Sequence, residues 1–305
     1  MNHPLLEASN KELRKRVVEL LKLGFTVIRD SNIVFVCGGN SPQHMRKQFF
    51  TYFTDHMADF EFFEPEFAME NYLQSGDNIP FNIGDFEELV GRLSHSIVLF
   101  PEGPGSFAEL GYFSMQNELA QKTVLVIDLD RQLNDSFISL GPAAKIAEKS
   151  IFQPTIYMDY NNPQFDLVHQ RLVQRRPLSR YRKTVNFEKF SDVPDFDLFA
   201  LIFEIVNLLQ FATLEDVLFI LSAIFKGSIG RSRILKLVSI LVGSKRLSNF
   251  GILGHLIPAS TATRFFEVKD GFRNQLAEVK ISIAVLIDEA PADFQSLRDY
   301  LENAS

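Results

Sequence analysis

One cysteine in 305 residues, Cys37, leaves no partner for an internal disulfide and too few thiols for a Cys-cluster zinc or iron–sulfur site. That usage suits a reducing, cytoplasmic setting. Tryptophan is missing altogether while phenylalanine occurs thirty times, so aromatic burial falls to Phe. Long hydrophobic runs are missing too. Asp, Lys or Gly interrupts every apolar stretch before ~18 residues accumulate, and the charged, helix-like segment from Met1 to Leu23 has no signal-peptide pattern. No membrane association is expected. No H-E-x-x-H or similar ligand spacing occurs, and His44, His56 and His95 read as surface or locally bonded residues, so no metal is expected.

Acidic residues are scarce in one region. Between Val217 and Val268 Glu267 is the single acid, against Lys226, Arg231, Arg233, Lys236, Lys245, Arg246 and Arg264. The overall charge of −7 therefore conceals an acidic first half and a mildly basic second half. A basic face of this kind attracts phosphate even on an acidic protein.

With 46% hydrophobic and 23% charged residues the chain is ordinary globular material. Its length favours two domains. The first half alternates helical and strand patterns. A helix is expected over Lys11 to Leu23 and a buried strand over Asn32 to Gly39. Ser41 and Pro42 then resemble the N-cap and N1 residues of a helix running to Met57. Further strands are expected at Phe60 to Phe63, Ser96 to Phe100, Thr123 to Asp128 and Pro154 to Met158, with helices at Phe86 to Leu93 and Ser106 to Ala120. Repeated β-α units with wholly apolar strands predict an α/β fold, a doubly wound parallel sheet.

The basic run from Gln170 to Lys183, broken by Pro177, reads as a linker. The predicted division is thus a domain over 1–165, a basic linker over 166–195 and a mainly helical domain over 196–305. In the last, helices at Phe196 to Leu209, Leu214 to Phe225 and Arg231 to Val242 precede a turn-rich, hairpin-like stretch, Gly243 to Gly271. That order is the order of a winged helix, with further helix over Gln275 to Asn303. Its third helix offers Arg231, Arg233 and Lys236 to nucleic acid, and its hairpin Lys245, Arg246, His255 and Arg264. A solvated basic face or a protein-binding module is the plain alternative.

In open parallel sheets, ligands bind beyond the carboxyl ends of the strands. Both glycine-rich turns fall there: "CGGNS", with Cys37, Gly38 and Gly39, and "PEGPGS", with Glu102, Gly103, Gly105 and Ser106. Glycine turns opening helices present backbone amides to an anion or a sugar, though many serve only tight turns. Neither is a P-loop. Gly103 to Ala108 fits G-x-G-x-x-A, with Asp128 at the end of the following strand, but lies outside the first β-α unit. Ser106 to Glu109 also reads as a capping box, S-x-x-E, which would make Glu109 a structural residue. Alternatively, Glu109 faces the anomeric carbon of a ribose, where a carboxylate stabilises or attacks an oxocarbenium-like centre, and Glu102 orients the ribose hydroxyls. Glu64, Glu66 and Glu70 follow a strand but read as surface acids. Cys37 reads as a small buried residue rather than a nucleophile.

"VFVCGGN", "IVLFPEGPGSFAELGYFS" and "SFISLGP" (Ser136 to Pro142) resemble the nucleoside deoxyribosyltransferase-like effector proteins of retron antiphage systems. These join a ribosyltransferase-like α/β domain to a winged-helix DNA-binding domain. The resemblance implies that Glu109, in the GSF-x-ELG motif, is the catalytic carboxylate and that Cys37, Gly38 and Gly39 line the nucleotide pocket. It implies cleavage of an N-glycosidic bond in a nucleotide substrate such as NAD, with no cofactor. It further implies a toxin restrained by a reverse transcriptase and its RNA–DNA hybrid, multicopy single-stranded DNA. A homo-oligomer or filament is a further expectation. Classical deoxyribosyltransferases carry an aspartate six residues before the glutamate, whereas here Glu102 stands seven before, which leaves transfer or hydrolysis open. A nucleotide phosphoribohydrolase of the lysine-decarboxylase-like fold, whose P-G-G-x-G-T-x-x-E motif resembles Pro101 to Glu109, and a non-catalytic nucleotide-sensing adaptor remain alternatives.

Overall fold

A computed structural model describes residues 2–29, 32–63, 65, 68–69, 72, 82–131, 136–174, 181–185, 187–251, 254–259, 265–290, 294, 297 and 299. In chain order the principal elements are α1 (Lys11–Leu23), β1 (Phe25–Arg29), β2 (Ile33–Cys37), α2 (Met45–His56), β3 (Glu61–Phe63), α3 (Ile83–Leu93) and β4 (Ser96–Leu99). There follow α4 (Pro104–Met115), α5 (Asn117–Lys122), β5 (Thr123–Asp128), α6 (Ala144–Lys149), β6 (Ile156–Met158), α7 (Asp166–Gln174) and β7 (Tyr181–Lys183). The remainder comprises α8 (Asp195–Leu209), α9 (Leu214–Phe225), α10 (Arg231–Gly243), β8 (Leu247–Phe250), β9 (His255–Pro258), β10 (Phe266–Val268) and α11 (Arg273–Asp288).

The chain divides into two compact units: one from the described residues of 31–65 and 80–179, the other from those of 1–30, 66–79 and 180–305. In the first, five parallel strands form a sheet in the order β3-β2-β4-β5-β6. Every residue of β2 and β4 is buried, as expected of strands covered by helices on both faces. Val34, Val36, Val98, Val124 and Val126 meet Phe49, Phe53, Phe100 and Phe152 in a continuous core. The first strand of this sheet in chain order is β2; the chain then steps out to β3 at the edge and crosses back to β4 on the other side of β2. The strand order therefore reverses between β2 and β4, where open α/β sheets form their ligand crevice. In this register Cys37 stands beside Leu99, and the amide of Phe100 donates to the Cys37 carbonyl at 3.0 Å. Both glycine turns consequently leave the sheet side by side.

The second unit is mainly helical. Three short antiparallel strands run in the order β10-β1-β7, and helices α8, α9 and α10 precede the β8-β9 hairpin. The segment between α8 and α9 also bonds to that hairpin, Ala212 and Leu256 exchanging amide-to-carbonyl bonds of 3.0 and 2.7 Å.

Several boundaries differ from those expected. Residues 2–29 belong to the helical unit, because β1 is the middle strand between β7 and β10. The start of the expected linker is instead α7, whose Val168 and Leu172 are completely buried in the sheet core. Arg171 of that helix donates to the carbonyls of Phe152 and Pro154, each at 2.7 Å. Residues 175–180 lie outside the described residues. The hairpin is shorter than predicted, since the run at Phe266–Val268 pairs with β1. Helix α2 starts at Met45, after a turn closed by the His44 amide on the Ser41 carbonyl at 2.9 Å. The helix expected over Ser106 to Ala120 starts two residues earlier and breaks at Gln116, whose backbone is extended (ψ 111).

Candidate active site at the crossover crevice

The turn after β4 becomes helix α4 with Gly103 as N-cap, Pro104 at N1 and Ser106 at N3. The Ser106 hydroxyl accepts from the amides of Glu102 and Gly103, both at 3.0 Å, and donates to the Gly103 carbonyl at 3.1 Å. Ser106 is thus the side chain that reaches back, and Glu109 stands one helical turn further on. This overturns the capping-box reading of Glu109: the helix end closes without it. Gly103 and Gly105 face open space, so their side of the turn is accessible.

Glu109 is half-buried, with its Oε2 shielded from solvent. It lies beside Cys37 at the end of β2, close enough for its charge to act on the thiol. Burial, followed by the negative charges of Glu109 and then Glu87, pushes the Cys37 thiol well above the usual thiol range, opposed by Arg46. Cys37 therefore stays protonated, as expected of a buried thiol that is no nucleophile. Glu87 on α3 and Arg46 on α2 were not singled out by sequence. Arg46 is 4% exposed, and its Nη1 donates to Asn40 Oδ1 at 2.7 Å. An arginine in the first turn of a helix that follows a Gly-Gly turn is the sequence signal that could have marked it.

Glu102 was expected to orient ribose hydroxyls, but its carboxylate is engaged with main chain. It accepts from the amides of Gly39 at 2.9 Å, Met45 at 2.8 Å and Arg46 at 3.4 Å. Gly38 and Gly39 are glycines because side chains crowd the turn. A Cβ at Gly38 would lie 2.8 Å from both Glu102 Oε1 and Arg46 Cβ, and one at Gly39 would overlap the His44 ring. The remaining candidates are locally bonded. His44 Nδ1 accepts from the Ser41 amide, His56 stacks on Tyr52, and the His95 ring meets Phe60 and Phe152 edge-on. Asp128 accepts from the Asp130 amide at 3.3 Å. Glu64, Glu66 and Glu70 lie outside the described residues. Among the described residues no group of three or more His, Cys, Asp or Glu is placed to hold a metal ion.

In the helical unit the predicted basic residues separate. Arg246 is 1% exposed, with its guanidinium carbon 3.9 Å from the centroid of the Phe265 ring, so it cannot reach a phosphate. Arg233 bonds to Asp195 at 2.6 and 2.7 Å and to the carbonyls of Phe190 and Val193 at 3.2 and 2.6 Å, which occupies its fork internally. Arg231 pairs with Glu215 at 2.5 Å near the surface. Lys236 is half-buried, Lys245 is exposed, and His255 is buried against Phe211. Arg264 lies outside the described residues.

The model of the STM3845 retron effector protein family matches residues 42–249, from the turn after β2 to the hairpin. The chain belongs to this family of retron effectors. A relative in Escherichia coli, "Retron Ec86 putative ribosyltransferase/DNA-binding protein", is 29% identical over 152 residues, 48% of each chain. A second, "Retron Ec73 putative ribosyltransferase/DNA-binding protein" from the same organism, is 26% identical over 121 residues, 38% of each chain. The retron effector thus spans about half the length or less of the curated relatives it matches. No helix among its described residues is long and apolar enough to cross a membrane.

Proposed function

We propose that this retron effector cleaves the N-glycosidic bond of a nucleotide, with Glu109 as the anion that meets C1′. The observation that carries the reading is the placement of Glu109. It stands on the second turn of α4, beside Cys37, at the reversal of strand order, and the start of that helix is capped by Ser106. In this scheme a carboxylate oxygen attacks C1′ while the C1′–N bond breaks and its electron pair leaves with the base. Water then hydrolyses the glycosyl ester, releasing the phosphate-bearing ribosyl product and a proton and restoring the carboxylate. NAD suits such a site. Its nicotinamide is a pyridinium cation that takes up the bonding pair and departs neutral, so no acid has to protonate it.

The helical unit is proposed to bind nucleic acid as a winged helix. Support comes from the order of three helices and a hairpin, from the Ala212 bridge to that hairpin, and from the names of both relatives. The retron reverse transcriptase with its RNA–DNA hybrid is the proposed restraint on a toxic, cytoplasmic antiphage activity. To test the chemistry, purified protein, alone and assembled with the retron components, is incubated with NAD, nucleosides and nucleoside phosphates, and released bases are resolved by chromatography. Base release that Glu109→Gln abolishes is expected. Release no greater than that of folded Glu109→Gln, in both free and assembled protein, overturns the assignment.

A further inference from the structure

We infer that Glu102 determines substrate specificity by holding the amide cradle at the first turn of α2 against phosphate. In parallel α/β sheets the turn after the first strand, with the helix end behind it, is where a phosphate ordinarily sits, because backbone amides and the helix dipole converge on it. Here those donors already carry an anion. The amides of Gly39, Met45 and Arg46, contributed by two separate segments, all bond to the Glu102 carboxylate, which comes from the neighbouring strand's turn. The fit is built in: a Cβ on Gly38 would stand 2.8 Å from Glu102 Oε1. Arg46, the cation on that turn of α2, is buried and bonded to Asn40. A phosphate monoester entering this turn would have to displace one anion with another. It would also leave Glu102 without its three donors in a partly buried crevice.

A substrate that enters beside the first turn of α2 therefore meets it with an uncharged group, any phosphate charge lying elsewhere. This specificity deepens the glycosidase reading without resting on Glu109, because occupation of the cradle does not depend on the chemistry beside it. It also counts against a phosphoribohydrolase that anchors a 5′-monophosphate at this turn.

The test is a thermal-unfolding series of the full chain in inorganic phosphate, with chloride at matched ionic strength as control. The proteins are wild type, Glu102→Ala, Glu102→Gln and Glu109→Gln. Phosphate should raise the midpoint of Glu102→Ala by several degrees over chloride. Wild type, Glu109→Gln and Glu102→Gln should rise only by the smaller, general increment that a kosmotropic anion gives any folded protein, since in each a side chain still fills the cradle. Should Glu102→Ala not fold in chloride, refolding yield is read instead, and phosphate should restore it. Phosphate stabilising wild type as much as Glu102→Ala overturns the proposal, as does phosphate acting on Glu102→Ala no differently from chloride. Failure of base release in the glycosidase assay would leave this result standing, so the two readings fail separately.

Discussion

At the scale of single residues, S-x-x-E at Ser106 to Glu109 matched a capping box in spacing but not in frame. The cue that decides the frame is Pro104. Proline favours N1, where its missing amide costs nothing, and with Pro104 at N1 Ser106 falls at N3. Ser106 and Glu109 should therefore separate cleanly. Ser106→Ala loses the bonds to two amides and should lower unfolding stability by about 1 kcal/mol in a urea titration. Glu109→Gln should change stability little while removing any base release. A second prediction concerns Gly38. Gly38→Ala forces a Cβ against Glu102 and Arg46 and should cost ~1–3 kcal/mol; a midpoint equal to wild type would show that the turn relaxes freely.

Among elements, the parallel sheet was legible because apolar runs such as Ile33–Cys37 and residues 97–99 suit strands buried on both faces, and the glycine turns marked their carboxyl ends. The β10-β1-β7 sheet was not legible. Its outer strands are three residues long, too short for a period to show, and Thr26 pairs with Glu267, 241 positions away. Charge counting misled for a related reason. Arginines on a helix register as a basic face whether they meet solvent or, like Arg233, tie α10 to Asp195 and the carbonyls of Phe190 and Val193. Arg233→Ala should accordingly destabilise the helical unit by roughly 1.5–3 kcal/mol, the range for a hydrogen-bonded charge. Its effect on nucleic acid, measured with protein still folded, should be small. Lys245→Ala should do the reverse, leaving stability nearly unchanged and reducing the salt slope of DNA binding by ~1 if Lys245 contacts one phosphate. Equal salt slopes for wild type and Lys245→Ala would remove that lysine from the interface.

Across the whole molecule, residues near the start of the sequence complete a core built mostly from its later part, and His3 couples that arrangement to pH. His3 is 1% exposed. Its amide donates to Asp216 at 3.0 Å, its Nδ1 accepts from the Leu5 amide at 3.1 Å, and its Nε2 lies 3.1 Å from the Leu209 carbonyl. A ring nitrogen that accepts from an amide carries no proton, so Nε2 is the donor and the imidazole is neutral. Burial lowers the His3 value from 6.5 to about 4; the charge of Asp216 and the bond to Leu209 oppose the shift, and His255 adds to it. The unfolded chain therefore takes up this proton first as pH falls. Stability from the neutral ring is full above about 6.5 and drains away toward about 4, by a total on the order of 3 kcal/mol. His3→Gln keeps a donor and an acceptor but does not titrate in that window. The variant should be less stable than wild type at pH 7.5, and the gap should narrow as urea unfolding is repeated down to pH 4.5. A gap that stays constant over that range would mean His3 is solvated and ordinary, and that residues 2–29 are not held in the core as this bonding requires.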